Sequence, residues 1–310
     1  MISPNDNGSK IKKDVALIVG PTASGKSALA LQLAKKQPSV IINADSAQVY
    51  ADLRILSARP SEQEMGGISH RLYGYIDGAE ACSAPRWARD AKAEIAAAHA
   101  AAMLPILVGG TGLYIRTLLN GIAPIPDIGP AIRAQVRDLA VDDAYALLES
   151  EDPVSAERLN RRDSSRIMRA LEVVRSSGKP LHHWHAHLTG GIADEISLRP
   201  LVLLPPREWL YERCDRRFQI MLDEGAMEEV EALLHKRLPD DCPVMRAIGV
   251  PELSAVIRRE MDMEDAKTRA MAATRQYAKR QYTWFRNQCP PEWPRHEAII
   301  NDENISDIEI

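Results

Sequence analysis

The sequence predicts an α/β fold: a parallel sheet flanked by helices and interrupted by an inserted all-helical subdomain. Three observations predict it. Short apolar runs rich in β-branched residues alternate with Ala/Leu-rich helical stretches over the first third of the chain. A glycine-bearing turn, Gly20-Pro21-Thr22-Ala23-Ser24-Gly25-Lys26-Ser27, joins the first apolar run to the first helical stretch. From about Pro130 to Leu188 the periodicity is helical, with no convincing strand.

Residues 1–13 are polar and read as a flexible leader. Val15–Val19 is a buried strand, and Ala28–Ala34 carries the helix that follows the turn. Ser39–Asn43 is a second short strand, ending in Ala44-Asp45-Ser46. The alanine-dense stretch from Glu80 to Met103 is a helix, with Ser83 as its cap and Pro85 in its first turn. It feeds a third strand, Pro105–Val108, which ends in Gly109-Gly110-Thr111-Gly112. Alternating strands and helices imply parallel pairing with right-handed crossovers. Ligands of such sheets gather at the carboxyl ends of the strands. The three polar strand ends are therefore expected to meet in one cleft.

Proline punctuates the exit from this region at Ala123–Asp127. Asp152-Pro153 begins a helix, and Ser176–Pro180 stops one. Leu198–Leu204 reads as a strand rejoining the sheet, and long helices continue to about Asn287. The expected organisation is a discontinuous core over 14–122 and 198–290, a helical insertion over 123–197, and flexible termini over 1–13 and 291–310.

The turn matches G-x-x-x-x-G-K-[ST] between a strand and a helix, which makes the sheet P-loop NTPase-like. Its glycines let successive N–H groups point at a phosphate, and the helix N-terminus adds partial positive charge. Lys26 supplies a mobile full charge, and the Ser27 hydroxyl can hold Mg2+. The turn is thus a site for a polyphosphate or a diphosphate ester.

The 310 residues carry a formal net charge of −4, which excludes a uniformly basic protein. Cys82, Cys214, Cys242 and Cys289 form no C-x-x-C pair, so neither a disulfide framework nor a zinc knuckle is expected. No signal peptide and no membrane-spanning run is evident, and a cytoplasmic enzyme is expected.

Positive charge is concentrated in two stretches. Residues 157–175 hold Arg158, Arg161, Arg162, Arg166, Arg169 and Arg175 against three acids. Residues 266–286 hold Lys267, Arg269, Arg275, Lys279, Arg280 and Arg286 with no acid. In the second, Arg275, Lys279, Tyr282 and Arg286 recur at helical spacing near Tyr277 and Trp284. Cations neutralise backbone phosphates and aromatics support unstacked bases, so both stretches suggest a nucleic-acid surface. His182, His183, His185 and His187 lack a carboxylate or cysteine at metal-binding spacing and read as surface.

Phosphate-loop kinases and ATPases place a magnesium-binding acid at a strand end. Here Ile106–Val108 ends in Gly-Gly-Thr, and the strand-end acid near the loop is Asp45. A carboxylate there can take a proton from an acceptor. The residues favour a diphosphate leaving group and a base. A small-molecule or nucleoside kinase, and an RNA-binding switch protein, stay open as alternatives.

The chain resembles the bacterial tRNA dimethylallyltransferase (tRNA isopentenyltransferase) family. The resemblance runs through the phosphate loop, Asp45-Ser-Ala-Gln-Val-Tyr50, Ala58-Arg-Pro60, His70-Arg-Leu72 and Val108–Tyr114. It continues through Asp163, Arg166–Val173, Ser177-Gly-Lys179, Arg217–Leu222, Ala247-Ile-Gly249 and Thr274–Trp284. Gly249-Val250-Pro251-Glu252 departs from the family's usual Gly-Tyr pattern, and Ser57-Ala58-Arg59-Pro60 keeps the charge of its Thr-Ala-Lys-Pro.

The resemblance implies transfer of a dimethylallyl group from dimethylallyl diphosphate to N6 of the adenosine 3′-adjacent to a tRNA anticodon. It implies catalytic roles for Asp45, Thr111 and Arg217, with diphosphate on Gly20–Ser27 and Mg2+ on Ser27. It also implies contacts from Asp45, Ser46, Ala47, Gln48 and Thr111 to the anticodon stem-loop. Further RNA contacts would come from Arg133, Ser165, Arg166, Ile167, Met168, Arg169, Arg246 and Gly249, and from Lys279, Arg280, Gln281, Trp284 and Arg286. A monomer away from any membrane is expected.

Overall fold

The computed structural model describes residues 12–310. The leader expected over 1–13 lies outside the described residues as far as residue 11, and Lys13 already belongs to the first strand. Two compact units emerge: residues up to Leu118 with Ala193–Ile310, and Leu119–Ile192.

In chain order, β1 (Lys13–Val19) leads through the phosphate loop into α1 (Lys26–Lys36), and β2 (Ser39–Asn43) follows. A one-turn helix α2 (Glu62–Met65) precedes the edge strand β3 (Ser69–Arg71), then α3 (Ala84–Ala100), β4 (Leu104–Gly109) and α4 (Gly112–Asn120). The α3 start follows the sequence reading: the Ser83 side chain accepts the Arg86 N–H, and a proline occupies the first turn, where no N–H is needed.

The second unit opens with β5 (Gly121–Ile122) and contains α5 (Pro130–Arg137), α6 (Val141–Glu151), α7 (Pro153–Arg158), α8 (Ser164–Ser177) and α9 (Leu181–His185). It closes with β6 (Thr189–Gly190), which pairs antiparallel with β5, so the unit is helical apart from a two-residue ladder. Its core joins Val136, Ala144, Tyr145, Leu148, Ile167, Ala170 and Leu171. His182, His183 and His185 lie on α9, where Trp184 Nε1 donates to Ser177 Oγ.

The chain then re-enters the sheet as β7 (Ile196–Leu203). It continues through α10 (Arg207–Asp223), α11 (Ala226–His235), α12 (Val250–Ile257) and α13 (Met263–Gln288) to β8 (Arg295–His296). The strand order is β3-β2-β4-β1-β7-β8, and every pairing is parallel. The central strands β1, β2 and β4 are buried on both faces, as expected where helices cover both sides. Register aligns Val19 with Gly109 and Asn43 with Val108, so β1, β2 and β4 release their chains side by side.

One expectation is corrected here. The stretch 291–310 is not loose: β8 pairs with β7, and Ile300 and Ile305 are buried in one apolar cluster with Leu29, Ala30 and Ala34 of α1. The acidic composition hid isoleucines spaced to reach the core. No helix of the described residues is long and apolar enough to cross a membrane.

Candidate active site

Gly25 stands at the start of α1 with φ +96°, a left-handed conformation that glycine adopts without strain. Its neighbour Lys26 folds back over the loop, Nζ donating to the Pro21 carbonyl at 2.6 Å. Burial pushes the Lys26 pKa down to about 8; the Asp45 charge opposes that shift, and Arg217 reinforces it. The Arg217 guanidinium, from α10, donates to Thr22 Oγ1, and burial lowers its pKa as well. Two cations are thus held partly desolvated beside one loop. Ser24, in the same loop, keeps a buried hydroxyl with no hydrogen-bond partner. Ser27 is exposed.

Asp45 leaves β2 in a turn that Asn43 shapes. The Asn43 side chain accepts the Asp45 N–H at 2.9 Å and donates to the Asp45 and Leu72 carbonyls, each at 3.0 Å. Asp45 Oδ1 accepts the Ala47 N–H at 2.9 Å. The carboxylate is therefore oriented from both sides of its own turn.

The Gly-Gly-Thr turn is pressed against this one. A Cβ on Gly109 would lie 2.1 Å from the Ala44 backbone, so only glycine permits the approach. The Thr111 N–H donates to the Ala44 carbonyl at 3.2 Å, and Thr111 Oγ1 accepts the Ser46 N–H at 2.9 Å. Tyr277 of α13 bonds to Thr111 and Ser46, and burial raises its pKa, with Asp45 adding to the rise.

Two cavities meet here. One, of about 640 Å³, is lined by the loop from Thr22 to Ser27 and by Asp45, Gln48 and Arg217. The other, of about 400 Å³, is lined by Asp45, Ser46, Ala47 and Tyr50, apolar Leu56, Phe218, Met221 and Ile248, and by Arg246, Tyr277 and Arg280. Thr22, Asp45, Ser57 and Arg217 line both. A phosphate cradle and a mixed apolar-cationic chamber thus share Asp45 in their common wall.

Several residues expected to touch RNA are placed otherwise. Gln281 is buried: its Oε1 accepts the Thr22 N–H at 2.8 Å and its Nε2 donates to the Gly110 carbonyl at 2.9 Å. It braces the phosphate loop against the Gly-Gly-Thr turn, and its amide is turned into the core away from the surface. Ile167 is fully buried in the second unit's core. Gly249 is buried at the start of α12, its N–H held by the Glu252 carboxylate at 3.0 Å. In that turn Val250 is buried and Pro251 needs no N–H partner, which accommodates the departure seen in sequence.

Lys279, Arg280, Arg286 and Arg246 are exposed, with the Arg280 guanidinium 5.7 Å from the Tyr277 ring centroid. Trp284 is half-buried with its ring against Gly112. In the second unit Arg133, Ser165, Arg166 and Arg169 are exposed and Met168 is half-buried. Sequence reasoning missed the role of Asn43, the bonds of Tyr277 to Thr111 and Ser46, and the bracing role of Gln281. The available signals were an asparagine closing an apolar strand, and polar residues at the buried positions of an amphipathic helix.

Fold and site together define a phosphate-loop α/β protein whose cradle opens onto a carboxylate and a second chamber. Comparison with known proteins carries the assignment further. A family model described as IPP transferase matches residues 48–288, and one described as isopentenyl transferase matches residues 13–79. The chain belongs to the IPP transferase family. It is 59% identical over 302 residues to a tRNA dimethylallyltransferase of Erythrobacter litoralis, covering 96% of this chain and 95% of that one. It is 54% identical to a tRNA dimethylallyltransferase of Zymomonas mobilis, covering 96% of both. Among solved structures, a full-length tRNA isopentenylpyrophosphate transferase of Bacillus halodurans aligns with a TM-score of 0.69 and 30% identity, covering 96% of this chain and 94% of that one. A eukaryotic dimethylallyltransferase, solved in snapshots of its action on tRNA, aligns with a TM-score of 0.76 and 30% identity over 88% of this chain and 69% of that one.

Proposed function

We infer that the protein transfers a dimethylallyl group from dimethylallyl diphosphate to N6 of the adenosine 3′-adjacent to the anticodon of tRNA. The observation that carries this reading is the shared wall: Asp45 lines both the phosphate cradle and the chamber beside it. The relatives' names and the family membership support the same chemistry.

In the reaction, the adenine N6 attacks C1 of the dimethylallyl group while the C1–O bond breaks and the diphosphate leaves with its electron pair. Charge accumulates on the departing oxygens, where the loop amides, Lys26 and Arg217 stabilise it. Both cations are partly desolvated, so their attraction for that charge is stronger than in water. Asp45, oriented by Asn43 and by the Ala47 N–H, takes the proton that N6 loses. Thr111 and Tyr277 fix the Ser46 turn beside it. A stacked base cannot reach such a site, so the adenosine is extruded from the anticodon loop into the chamber of Tyr277 and Arg280.

A magnesium ion fits the loop as a companion of the diphosphate. The described residues offer no group of three His, Cys, Asp or Glu for a metal, whereas magnesium bound through substrate phosphates needs few protein ligands. Ser27 Oγ would hold it, and it would supply further neutralisation of the leaving group. The exposed Lys279, Arg280 and Arg286, with Arg133, Arg166 and Arg169 of the insertion, would neutralise RNA phosphates. A cytoplasmic location accords with a tRNA substrate.

The test incubates the protein with tRNA and labelled dimethylallyl diphosphate without ATP. Label in the RNA, recovered as N6-(dimethylallyl)adenosine by mass spectrometry, is expected. ATP-dependent phosphate transfer with no alkylation would instead make the protein a kinase. Asp45→Ala is expected to lower turnover by about 10²–10⁴-fold while tRNA affinity stays within a few-fold. Near-normal turnover would remove Asp45 from the role of base.

A further inference from the structure

The phosphate loop rests on a segment outside the strand–turn–helix motif. A Cβ built on Gly25 would lie 3.5 Å from Ile300 Cβ and within 4 Å of two further Ile300 side-chain carbons. Ile300 is 7% exposed and joins Ile18, Leu29, Ala30 and Leu203 in one cluster beneath α1. The segment carrying it is fastened on both sides. Upstream, the Val202 and Leu204 N–H groups donate to the Pro294 and His296 carbonyls at 2.9 and 2.8 Å. Downstream, Lys36 Nζ donates to the Ser306 carbonyl at 3.0 Å, and Asn304 Nδ2 donates to the Ile299 carbonyl at 2.8 Å. The anchoring strand β7 ends at Leu203, whose carbonyl lies 2.5 Å from a Cβ built on Gly20. Both glycines of the loop are therefore seated on the 294–306 stretch or on the strand it pairs with.

We propose that Ile300 is a positioning residue for diphosphate, holding the left-handed Gly25 turn so that the amides of α1's first turn converge on the leaving group. Gly25 is one of the loop's two glycines, and a left-handed turn of that kind keeps one shape only when its surroundings over-determine it. Ile300 supplies that constraint from outside the motif. The inference rests on the reading of Gly20–Ser27 as a diphosphate cradle.

The experiment measures inorganic pyrophosphate affinity by calorimetry on the full chain, with Ile300→Ala, Ile300→Val and Ile305→Ala. Ile305 shares the apolar cluster but sits in the 3₁₀ turn packed on α1. Ile300→Ala is expected to weaken pyrophosphate binding about tenfold and to lower kcat/KM for the prenyl donor similarly, with the KM for tRNA unchanged. Ile300→Val restores both toward the parent value. Ile305→Ala lowers Tm without moving the pyrophosphate Kd. Equal pyrophosphate affinities in Ile300→Ala and Ile305→Ala would overturn the proposal and leave Ile300 a core residue like its neighbour. Should Ile300→Ala not fold, amide exchange at residues 22–27 in Ile300→Leu, which removes the β-branch facing Gly25, decides: faster exchange than in the parent supports the proposal, and parent-like exchange overturns it. Because pyrophosphate binding needs no tRNA, a protein that shows this pattern yet fails to alkylate would refute the transferase reading and leave the positioning role standing.

Discussion

The two arginine-rich helices α8 and α13 look alike in sequence and differ in what their inner faces do. α8 buries Ile167, Ala170, Leu171 and Val173 together with the carboxylate of Glu172, and its cations stand outside. There they meet acids: Arg166 meets Asp163, Arg169 meets Glu172, and Arg175 meets Glu151. α13 buries Thr274 and Gln281 alongside its alanines, and its flanks are polar on both sides. On one flank Arg275 pairs with Asp215 at 2.6 Å and the Tyr282 hydroxyl reaches the Leu204 carbonyl. On the other, Tyr277 and Arg280 line the second cavity, and Trp284 lies against Gly112 beyond the Gly-Gly-Thr turn. Basic composition alone reports neither arrangement. The one buried charge of α8, Glu172, is answered by Arg169 on the same helix and Arg137 on α5, whereas the buried Gln281 amide of α13 holds two loops of the site together.

The contrast is broken most forcefully by truncating each inner face. Leu171→Ala in α8 is expected to destabilise its unit by about 2–5 kcal/mol, the cost of a cavity in a packed core, with no change in pyrophosphate affinity. Calorimetric melting together with a pyrophosphate titration checks both halves. Gln281→Leu in α13 leaves the Thr22 N–H and the Gly110 carbonyl buried without partners, at about 1–3 kcal/mol each. Pyrophosphate affinity is expected to fall by about tenfold or more while tRNA affinity holds. The reverse pattern, weaker tRNA binding with intact pyrophosphate binding, would return Gln281 to the RNA surface.

A pH profile sharpens the same difference. In the insertion, Arg161 and Arg175 are held in their charged forms by hydrogen bonds to their partners. In the core, burial brings Lys26 down to about 8 from the ordinary 10.5. Above pH 8 the ligand-free loop loses this charge, so donor affinity is expected to weaken by up to about tenfold per pH unit, until the pH passes the higher pKa that Lys26 takes beside bound diphosphate. The effect on the fold runs the other way. Between about pH 8 and 10.5 the unfolded chain holds the Lys26 proton that the folded chain has released, so this residue makes the ligand-free fold more stable as pH rises. Lys26→Arg should flatten the donor profile across pH 8–9.

Much of the core was legible because its signals are local. The phosphate loop, the β2 and β4 strand ends and the Ser83 cap each announce themselves within a few residues. Asp45 stood out as the acid closing an apolar strand. What escaped depends on partners distant in sequence. Gln281 answers to Thr22 across 259 positions, and Ile300 answers to Gly25, so neither role could be seen in its own neighbourhood. The edge strands β3 and β8 are short and partly polar, and their pairing becomes visible only once the central strands are in place. The stripe Arg275–Lys279–Tyr282–Arg286 was a genuine periodicity, but period alone does not say which flank of a helix meets a neighbouring helix and which meets solvent.

That last ambiguity yields the smallest and most discriminating effect. Lys279 is exposed and opposes no acid along α13, whereas Arg275 is already committed to Asp215. Removing an exposed cation that neutralises one RNA phosphate lowers the slope of log affinity against log salt by about 0.7–0.9, because one fewer set of counterions is released on binding. Lys279→Ala should show that loss with an unchanged melting temperature. Arg275→Ala should leave the salt slope alone and cost about 1 kcal/mol or less of stability, since its ion pair is only partly shielded from solvent. Measured side by side on tRNA between 50 and 200 mM salt, a range over which such slopes are well resolved, the two variants separate a cation that meets RNA from one that pins α13 to α10. Slopes unchanged from the parent in both would mean that the periodic stripe as a whole lies off the RNA path, and would shift the contact to the Tyr277–Arg280–Trp284 flank.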